Sequence, residues 1–319
     1  MSSIIEAVRW SDAVDGILAS DQVLAVAYVT PARGVVLLPV TNTGLRDRAA
    51  GRLTPFTTSI GMWRKLAAIQ REPRIAVAYH TRTHGFSERP EYVLVQGRAT
   101  LGPPVADFPG KFADNWERLE PWRDIHPLWK RWMRVYALRI EVRIAVERMI
   151  VWPDLACRGT LDVIGAPLPA APPPPQDPPA KGTAPRVDQA RAAKQAARLP
   201  DVLLGWVGAD GFPVATAAQV GAADERGIAI ETPAGLVPPG GRRAGLLAHW
   251  FTRGVVGQRQ QIYTGWMEAE PGSSTAVSYS PHTRAAYRMP NSRVVYRIAA
   301  GAATRLRLRN ARRAGTSFV

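Results

Sequence analysis

Phe56-Thr57-Thr58-Ser59-Ile60-Gly61-Met62-Trp63-Arg64-Lys65 is the stretch from which the rest of the chain can be read. Leu53 to Thr58 predicts a short strand ending in hydroxyl side chains. The chain then passes a glycine and enters a helix from Met62 to Arg71. Glu72-Pro73 stops that helix, because the residue before a proline is driven out of the α region. A strand that ends in hydroxyls and opens a basic helix has the parts of a phosphate seat. Free amides and the positive end of the helix dipole face an anion, hydroxyls add donors, and Arg64 and Lys65 supply charge. A capped surface helix with solvated charges would read the same way.

Working outward, Val23 to Thr30 is an apolar run turned by Pro31-Ala32-Arg33-Gly34, and Val35 to Val40 pairs back as a hairpin. Strands are expected at Arg74 to His80 and at Tyr92 to Leu101. Another is expected at Arg139 to Val146, where Ile140, Val142, Ile144 and Val146 alternate strictly. Near the N-terminus Ser3 and Glu6 have the spacing of a capping box. They predict a helix opening near Ile4 with Val14, Ile17 and Leu18 on its apolar stripe.

A proline-rich stretch from Pro167 to Pro185, including Pro172-Pro173-Pro174-Pro175, lacks amide donors and predicts an extended, semi-rigid spacer. Beyond it the plan repeats. Asp188 caps an alanine-rich helix. Val202 to Val207 and Val214 to Val220 form a hairpin about Ala209-Asp210-Gly211, and Gly227 to Glu231 is a short strand. A basic helix is expected from about Arg242 to Phe251, then strands at Gln260 to Glu268 and Arg293 to Ile298. The repeat spacing is roughly 180 residues, too long for a solenoid. Gly97 and Gly265 fall at matching places, where glycine marks a bulge or a close backbone approach. The division expected is 1–160 for a first domain, 161–187 for the linker, and 188–319 for a second, divergent domain with a basic tail.

The 319 residues are 46% hydrophobic and 21% charged, ordinary for globular domains. No apolar run reaches the roughly 18 residues of a membrane span, and the N-terminus does not read as a signal peptide. The lone Cys157 allows no internal disulfide. A cytoplasmic location is the expectation. The net charge of +15, almost all arginine, favours anionic partners without choosing among them.

The run Thr58-Ser59…Trp63-Arg64-Lys65-Leu66…Arg71-Glu72-Pro73-Arg74-Ile75-Ala76-Val77, followed by Tyr92-Val93-Leu94-Val95-Gln96-Gly97-Arg98-Ala99, resembles the split-β-barrel flavin and deazaflavin reductases, relatives of pyridoxamine 5′-phosphate oxidase. The resemblance covers about Ser11 to Pro153 and, more faintly, Leu199 to Gly301. It implies a mainly β fold of two tandem six-stranded split β-barrels, a pseudo-dimer within one chain, with homodimerisation open. It implies FMN or the deazaflavin coenzyme (F-420 type) as cofactor, with haem or bilin as lesser alternatives, held in a groove between two barrels. Carried over, Thr57, Thr58 and Ser59 would line the cofactor ring and Arg64 and Lys65 would hold its phosphate. In the second half Arg242 and Arg243 would be the equivalents. There the hydroxyls are replaced by prolines and no lysine is present, so the second barrel is expected to serve as the partner wall of one site. The function implied is a flavin- or deazaflavin-dependent oxidoreductase acting on a small molecule; the alternative is a carrier that stores or senses the same class of ligand.

Trp116, Trp122, Trp129 and Trp132 predict a covering segment over a barrel end or a lid over an aromatic ring. His80, His84, His126, His249 and His282 complete no zinc pattern, and no metal is expected. In the tail, Arg305, Arg307 and Arg309 alternate with Leu306 and Leu308, which predicts a strand with one cationic face. No nucleic-acid motif accompanies it, and neither nucleic acid nor membrane is expected as a partner.

Overall fold

The computed structural model describes residues 7–270 and 275–315. The capping box at Ser3 and Glu6 lies outside them. Among the described residues the first helix is α1 (Asp12–Ser20): Ser11 is its N-cap, accepting from the Val14 amide, and Val14, Ile17 and Leu18 are buried.

The protein is mainly β, built from two curled antiparallel sheets. The first holds β1 (Val23–Val29), β2 (Val35–Thr41), β3 (Leu45–Asp47), β4 (Arg52–Ser59), β5 (Arg74–Tyr79), β6 (Tyr92–Val105), β7 (Arg139–Trp152) and β8 (Asp162–Gly165). The second holds β9 (Asp201–Val207), β10 (Pro213–Ala217), β11 (Gln219–Asp224), β12 (Gly227–Glu231), β13 (Gly240–Phe251), β14 (Gln258–Ala269) and β15 (Ala276–Met289). Spatial order is β2-β1-β5-β6-β7-β4-β3 in one and β10-β9-β13-β14-β15-β12-β11 in the other, with β8 added beside β7. Adding eight to each strand number of the first order gives the second, so the two sheets have one topology. Each carries seven strands on this path rather than six. Strand β8 falls where linker alone was expected.

Helices α2 (Trp63–Arg71), α3 (Phe108–Lys111), α4 (Ala113–Trp116), α5 (Pro127–Trp132) and α6 (Arg134–Ala137) belong to the first half. The second half has α7 (Gln189–Ala196) and α8 (Arg293–Arg313). Asp188 caps α7 as expected, accepting from the Arg191 amide.

Alternation explains why the sheets bury both faces. On β1, Leu24 and Val26 enter the first barrel's core, while Ala25 and Ala27 face the other barrel; on β5, Ile75 and Val77 go in, and Ala76 and Ala78 go out. The second barrel does the same on β13, with Leu246 inside and Leu247 outside. Large residues fill each barrel, and small ones let the barrels approach. The contact follows a pseudo-two-fold: β2 packs on β9, β13 and β14, while β10 packs on β1, β5 and β6. Polar ties cross it too. Tyr92 Oη donates to the Ala215 carbonyl at 2.7 Å, Gln96 Nε2 donates to the Pro213 carbonyl at 2.6 Å, and Arg148 pairs with Asp210.

Two expectations are corrected here. Residues 242–251 form the interior strand β13, not a helix: β9 and β14 pair with it on either side. Gly245 lets it lie against the first barrel, since a Cβ there would sit 2.5 Å from the Val35 carbonyl. The alanines and leucines that suggest a helix are overridden by strand pairing. The C-terminal segment is the helix α8, so neither Arg293 to Ile298 nor Arg305 to Arg309 is a strand. Its Arg-Leu alternation covers five residues, whereas burial along its whole length follows the helical period.

Candidate functional site

A groove of about 540 Å³ runs between the barrels. The end of β4 supplies Thr57, Thr58 and Ser59, and the first turn of α2 supplies Lys65. Ser59 accepts from the Gly61 amide and turns the chain into α2. Arg139, the first residue of β7, reaches back to this strand end: its Nε donates to Thr57 Oγ1 at 2.6 Å, and its guanidinium lies 4.9 Å from the Tyr136 ring centroid. The facing wall comes from the second barrel: His249, Trp250 and Phe251 at the end of β13, Gln258 and Gln260 of β14, and Tyr287 of β15.

The roof is α8. Tyr296, Ala300, Ala303 and Arg307 recur at helical spacing and line the groove. Three close contacts seat this helix. A Cβ at Gly61 would meet Arg307 Cβ at 2.5 Å, and one at Gly301 would meet Trp132 Nε1 at 2.2 Å. The Tyr136 and Tyr296 hydroxyls meet at 2.7 Å. Of the tryptophan cluster, Trp116 and Trp122 are buried with Phe108 under this corner, and Trp132 receives α8.

Electrostatically the groove is one-sided. Lys65, Arg139 and Arg307 line it, and among the described residues no carboxylate pairs with any of them. Lys65 is buried, with its ammonium 5.2 Å from the Phe56 ring centroid. Burial, and then repulsion from Arg139 and Arg307, push its pKa down to about 7. A buried cation among cations is costly unless an anion joins it.

Of the residues singled out from sequence, Thr57, Thr58, Ser59 and Lys65 come together here. Arg64 lies outside the inner groove, over the Trp63 ring. It lines an outer extension of about 710 Å³ together with Arg307 and Arg313. Arg242 and Arg243 are placed elsewhere. They sit on β13, whose counterpart is β5 rather than α2, and they hold the linker. The Arg242 guanidinium donates to the carbonyls of Pro173 and Pro239, and Arg243 bonds Gln176. No helix stands between β12 and β13, so the second half has no equivalent of α2. Arg74 and Arg82, the next arginines along the chain from α2, are held in ion pairs with Glu72 and Asp21.

The pseudo-two-fold generates a second cleft, of about 850 Å³, lined by His80, Thr81, Asp201, Glu231 and Thr232 among others. Register fixes the correspondence. Gly97 pairs with Ile75 and Val146; Gly265 pairs with Ala244 and Pro281. Counting from these anchors, His249 answers His80, and Glu231 answers Thr57. The second cleft therefore has a carboxylate where the groove has a hydroxyl, and it lacks the basic helix.

The two histidines meet on the pseudo-axis, Nε2 to Nε2 at 2.7 Å, both buried. His80 Nδ1 lies 3.1 Å from the Ala78 carbonyl, which can only accept, so Nδ1 carries the proton. Neutral His80 then accepts at Nε2, and His249 donates from its own. Burial holds both neutral: it pushes His80 down to about 4, and it holds His249 well below the usual imidazole range, with the neighbouring His80 adding to the effect. Sequence reasoning saw both histidines but not the pair. Aligning the halves on Gly97 and Gly265, rather than on their basic residues, would have found it.

An expected result follows by linkage. The unfolded chain binds a proton at ordinary imidazole pKa, and the folded chain resists it until about pH 4. His80 therefore contributes stability that is complete above about pH 6.5 and lost as pH falls toward 4, up to about 3 kcal/mol. Asp21 and Asp201, pushed up by burial to about 7 and about 6, act with the opposite sign. The His80 contribution is read as the difference between wild type and His80→Asn in denaturant midpoints from pH 4 to 8. A difference that does not change with pH would show that His80 is not held neutral.

Cys157 is buried, its thiol pushed up to about 12 by that burial, which leaves it unreactive. Among the described residues no group of three or more His, Cys, Asp or Glu is placed to hold a metal ion, and no helix is long and apolar enough to cross a membrane.

No protein-family model matches the chain, and no curated protein is similar to it. Solved structures are similar in fold. A conserved hypothetical protein from Mycobacterium tuberculosis is 18% identical, over 47% of this chain and 88% of its own, with a TM-score of 0.33. A pyridoxamine 5′-phosphate oxidase-related, FMN-binding protein from Nostoc punctiforme is 13% identical, over 41% of this chain and 75% of its own, with a TM-score of 0.28. A heme-binding protein from Mycobacterium smegmatis is 14% identical, over 94% of this chain and 100% of its own, with a TM-score of 0.29.

Proposed function

We propose that the groove holds a phosphorylated flavin or deazaflavin and that the protein is an oxidoreductase using it. The observation that carries this reading is Lys65: buried beside Arg139 and Arg307, with no carboxylate partner among the described residues. The cluster fits a phosphate, which would relieve the repulsion and accept from all three cations. Thr57 and Thr58 line the neighbouring strand end, and Tyr136, Phe251 and Tyr287 give the groove the apolar surface an aromatic ring system needs.

Such a cofactor, when bound, supplies the hydride chemistry. The chain's own residues would bind and orient it, while α8 and the second barrel exclude water. The outer extension with Arg64, Arg307 and Arg313 favours a ligand bearing an anionic tail, so the deazaflavin is favoured over FMN. The groove's histidine, His249, has its Nε2 engaged by His80, so that nitrogen is not free to ligate a haem iron.

Competition between FMN and the deazaflavin coenzyme tests this. The deazaflavin is expected to win at low salt, with a preference that shrinks as salt rises, because exposed charges are screened beyond about 8–10 Å at physiological ionic strength. If FMN wins at low salt, or if the ratio ignores salt, the deazaflavin is excluded. If neither binds, the flavin reading fails. Arg242→Ala with Arg243→Ala is expected to leave both affinities unchanged. Turnover of the reduced cofactor with an acceptor separates an enzyme from a carrier.

A further inference from the structure

The outer face of α8 has a different character from the inner face that roofs the groove. Val294, Ile298 and Leu306 are 55%, 50% and 60% exposed, large values for aliphatic side chains. Positions 294, 298, 302, 305, 309 and 312 follow one another at helical spacing on this side. The face is therefore aliphatic over its first turns and cationic over its last, with Arg305, Arg309 and Arg312. The whole helix carries seven arginines and no acidic residue. Among the described residues, Arg297 is the one of the seven that meets a carboxylate, Glu120 at 2.9 Å. Beside the helix, Leu128 of α5 is 70% exposed and Trp132 is 36% exposed.

We propose that this face of α8 docks on the surface of a bilayer containing anionic lipid. Lipid headgroups supply the negative charge that the arginines lack within the protein. The acyl boundary gives Val294, Ile298 and Leu306 an apolar medium, and Trp132 suits the headgroup level. A nucleic acid would satisfy the arginines but take no aliphatic side chain out of water, so it fits only half of the face. The contact is peripheral, since α8 is not apolar enough to span. Read as a strand, Arg305 to Arg309 separates leucines from arginines. As a helix the same stretch sends Arg307 into the groove and sets Leu306 beside Arg309 on the outer side, and the expectation of no membrane contact changes accordingly. The inference does not depend on the groove's ligand, because Val294, Ile298, Leu306, Arg309 and Arg312 line neither the groove nor its outer extension.

The full-length protein is co-sedimented with vesicles of phosphatidylcholine alone and with vesicles containing about one-third phosphatidylserine. Binding is expected to the second and not the first, and to weaken with salt. Arg309→Gln with Arg312→Gln is expected to lower partitioning roughly twenty-five-fold, at about five-fold per charge. Ile298→Ser with Leu306→Ser, which keeps every charge, is expected to lower it about tenfold. Circular dichroism confirms that each variant is folded. No binding to either vesicle, or equal binding to both, overturns the proposal using wild type alone. So does an unchanged affinity in a folded serine variant, or duplex DNA bound while the vesicles are ignored.

Discussion

Replacing Lys65 by Met is expected to make the ligand-free protein more stable at pH 7 while weakening the groove's hold on a phosphorylated ligand. The ammonium is buried, it sits beside two guanidinium groups, and its pKa falls from 10.5 to about 7. Between those values the unfolded chain binds more protons than the folded one, so wild-type stability rises with pH across that window. The contribution is complete above about 10.5 and is lost as pH falls to about 7. At neutral pH the strain amounts to about 3–5 kcal/mol at most. Met fills a similar volume without a charge, so Lys65→Met removes the strain. The gain in midpoint should be largest at pH 7 and vanish toward pH 10. Each charge-assisted hydrogen bond lost to a phosphate should cost the ligand about 1.5–3 kcal/mol. A variant less stable than wild type at pH 7, with no convergence at high pH, would mean that Lys65 is satisfied within the protein. Stability given up at a binding site in this way is common.

Gly97→Ala and Gly265→Ala are expected to destabilise the protein by about 1–3 kcal/mol each or more, the range for overpacking. A Cβ at Gly97 would lie 2.2 Å from the Ala145 carbonyl, and one at Gly265 would lie 2.1 Å from the Ser280 carbonyl. Both contacts are with backbone, so no side chain can swing away. Both glycines sit where the register shifts, between Gln96 and Gly97 and between Thr264 and Gly265. Gly16→Ala is the control: a Cβ there meets nothing within 4 Å, and the site is inside α1, so the change should be neutral or stabilising. Chemical denaturation of the three variants decides it. Equal stability across all three would mean that the bulges can relax.

Those two glycines show how far local reading reaches. A glycine inside an apolar strand has few explanations: a bulge or a close backbone approach is expected, and at both places the two coincide. The turn from β4 into α2 was equally legible, because hydroxyls, glycine and the Glu72-Pro73 stop each act within a few residues. Thr57, Thr58, Ser59 and Lys65 reached one groove for that reason. Arg139 and Arg307 did not announce themselves. One opens a strand and the other lies in the tail, 82 and 250 residues from Thr57, and nothing local marks either as facing Lys65.

By itself the sequence determined two β-rich halves of one plan, a proline-rich connection, and a hydroxyl-to-cation turn in the first half alone. These rest on periodicity, backbone stereochemistry and composition, which act within a few residues. Only the tertiary structure decided that residues 242–251 are a strand, because β9 and β14 pair on both its edges. It alone decided that the tail is a helix, because Gly61 and Gly301 leave room for one against the groove and Trp132. It alone brought His80 and His249 together, 169 residues apart, on the axis that relates the barrels. Pairing partners, close approaches and symmetry axes are set by which surfaces can be buried together, and residues distant along the chain decide that.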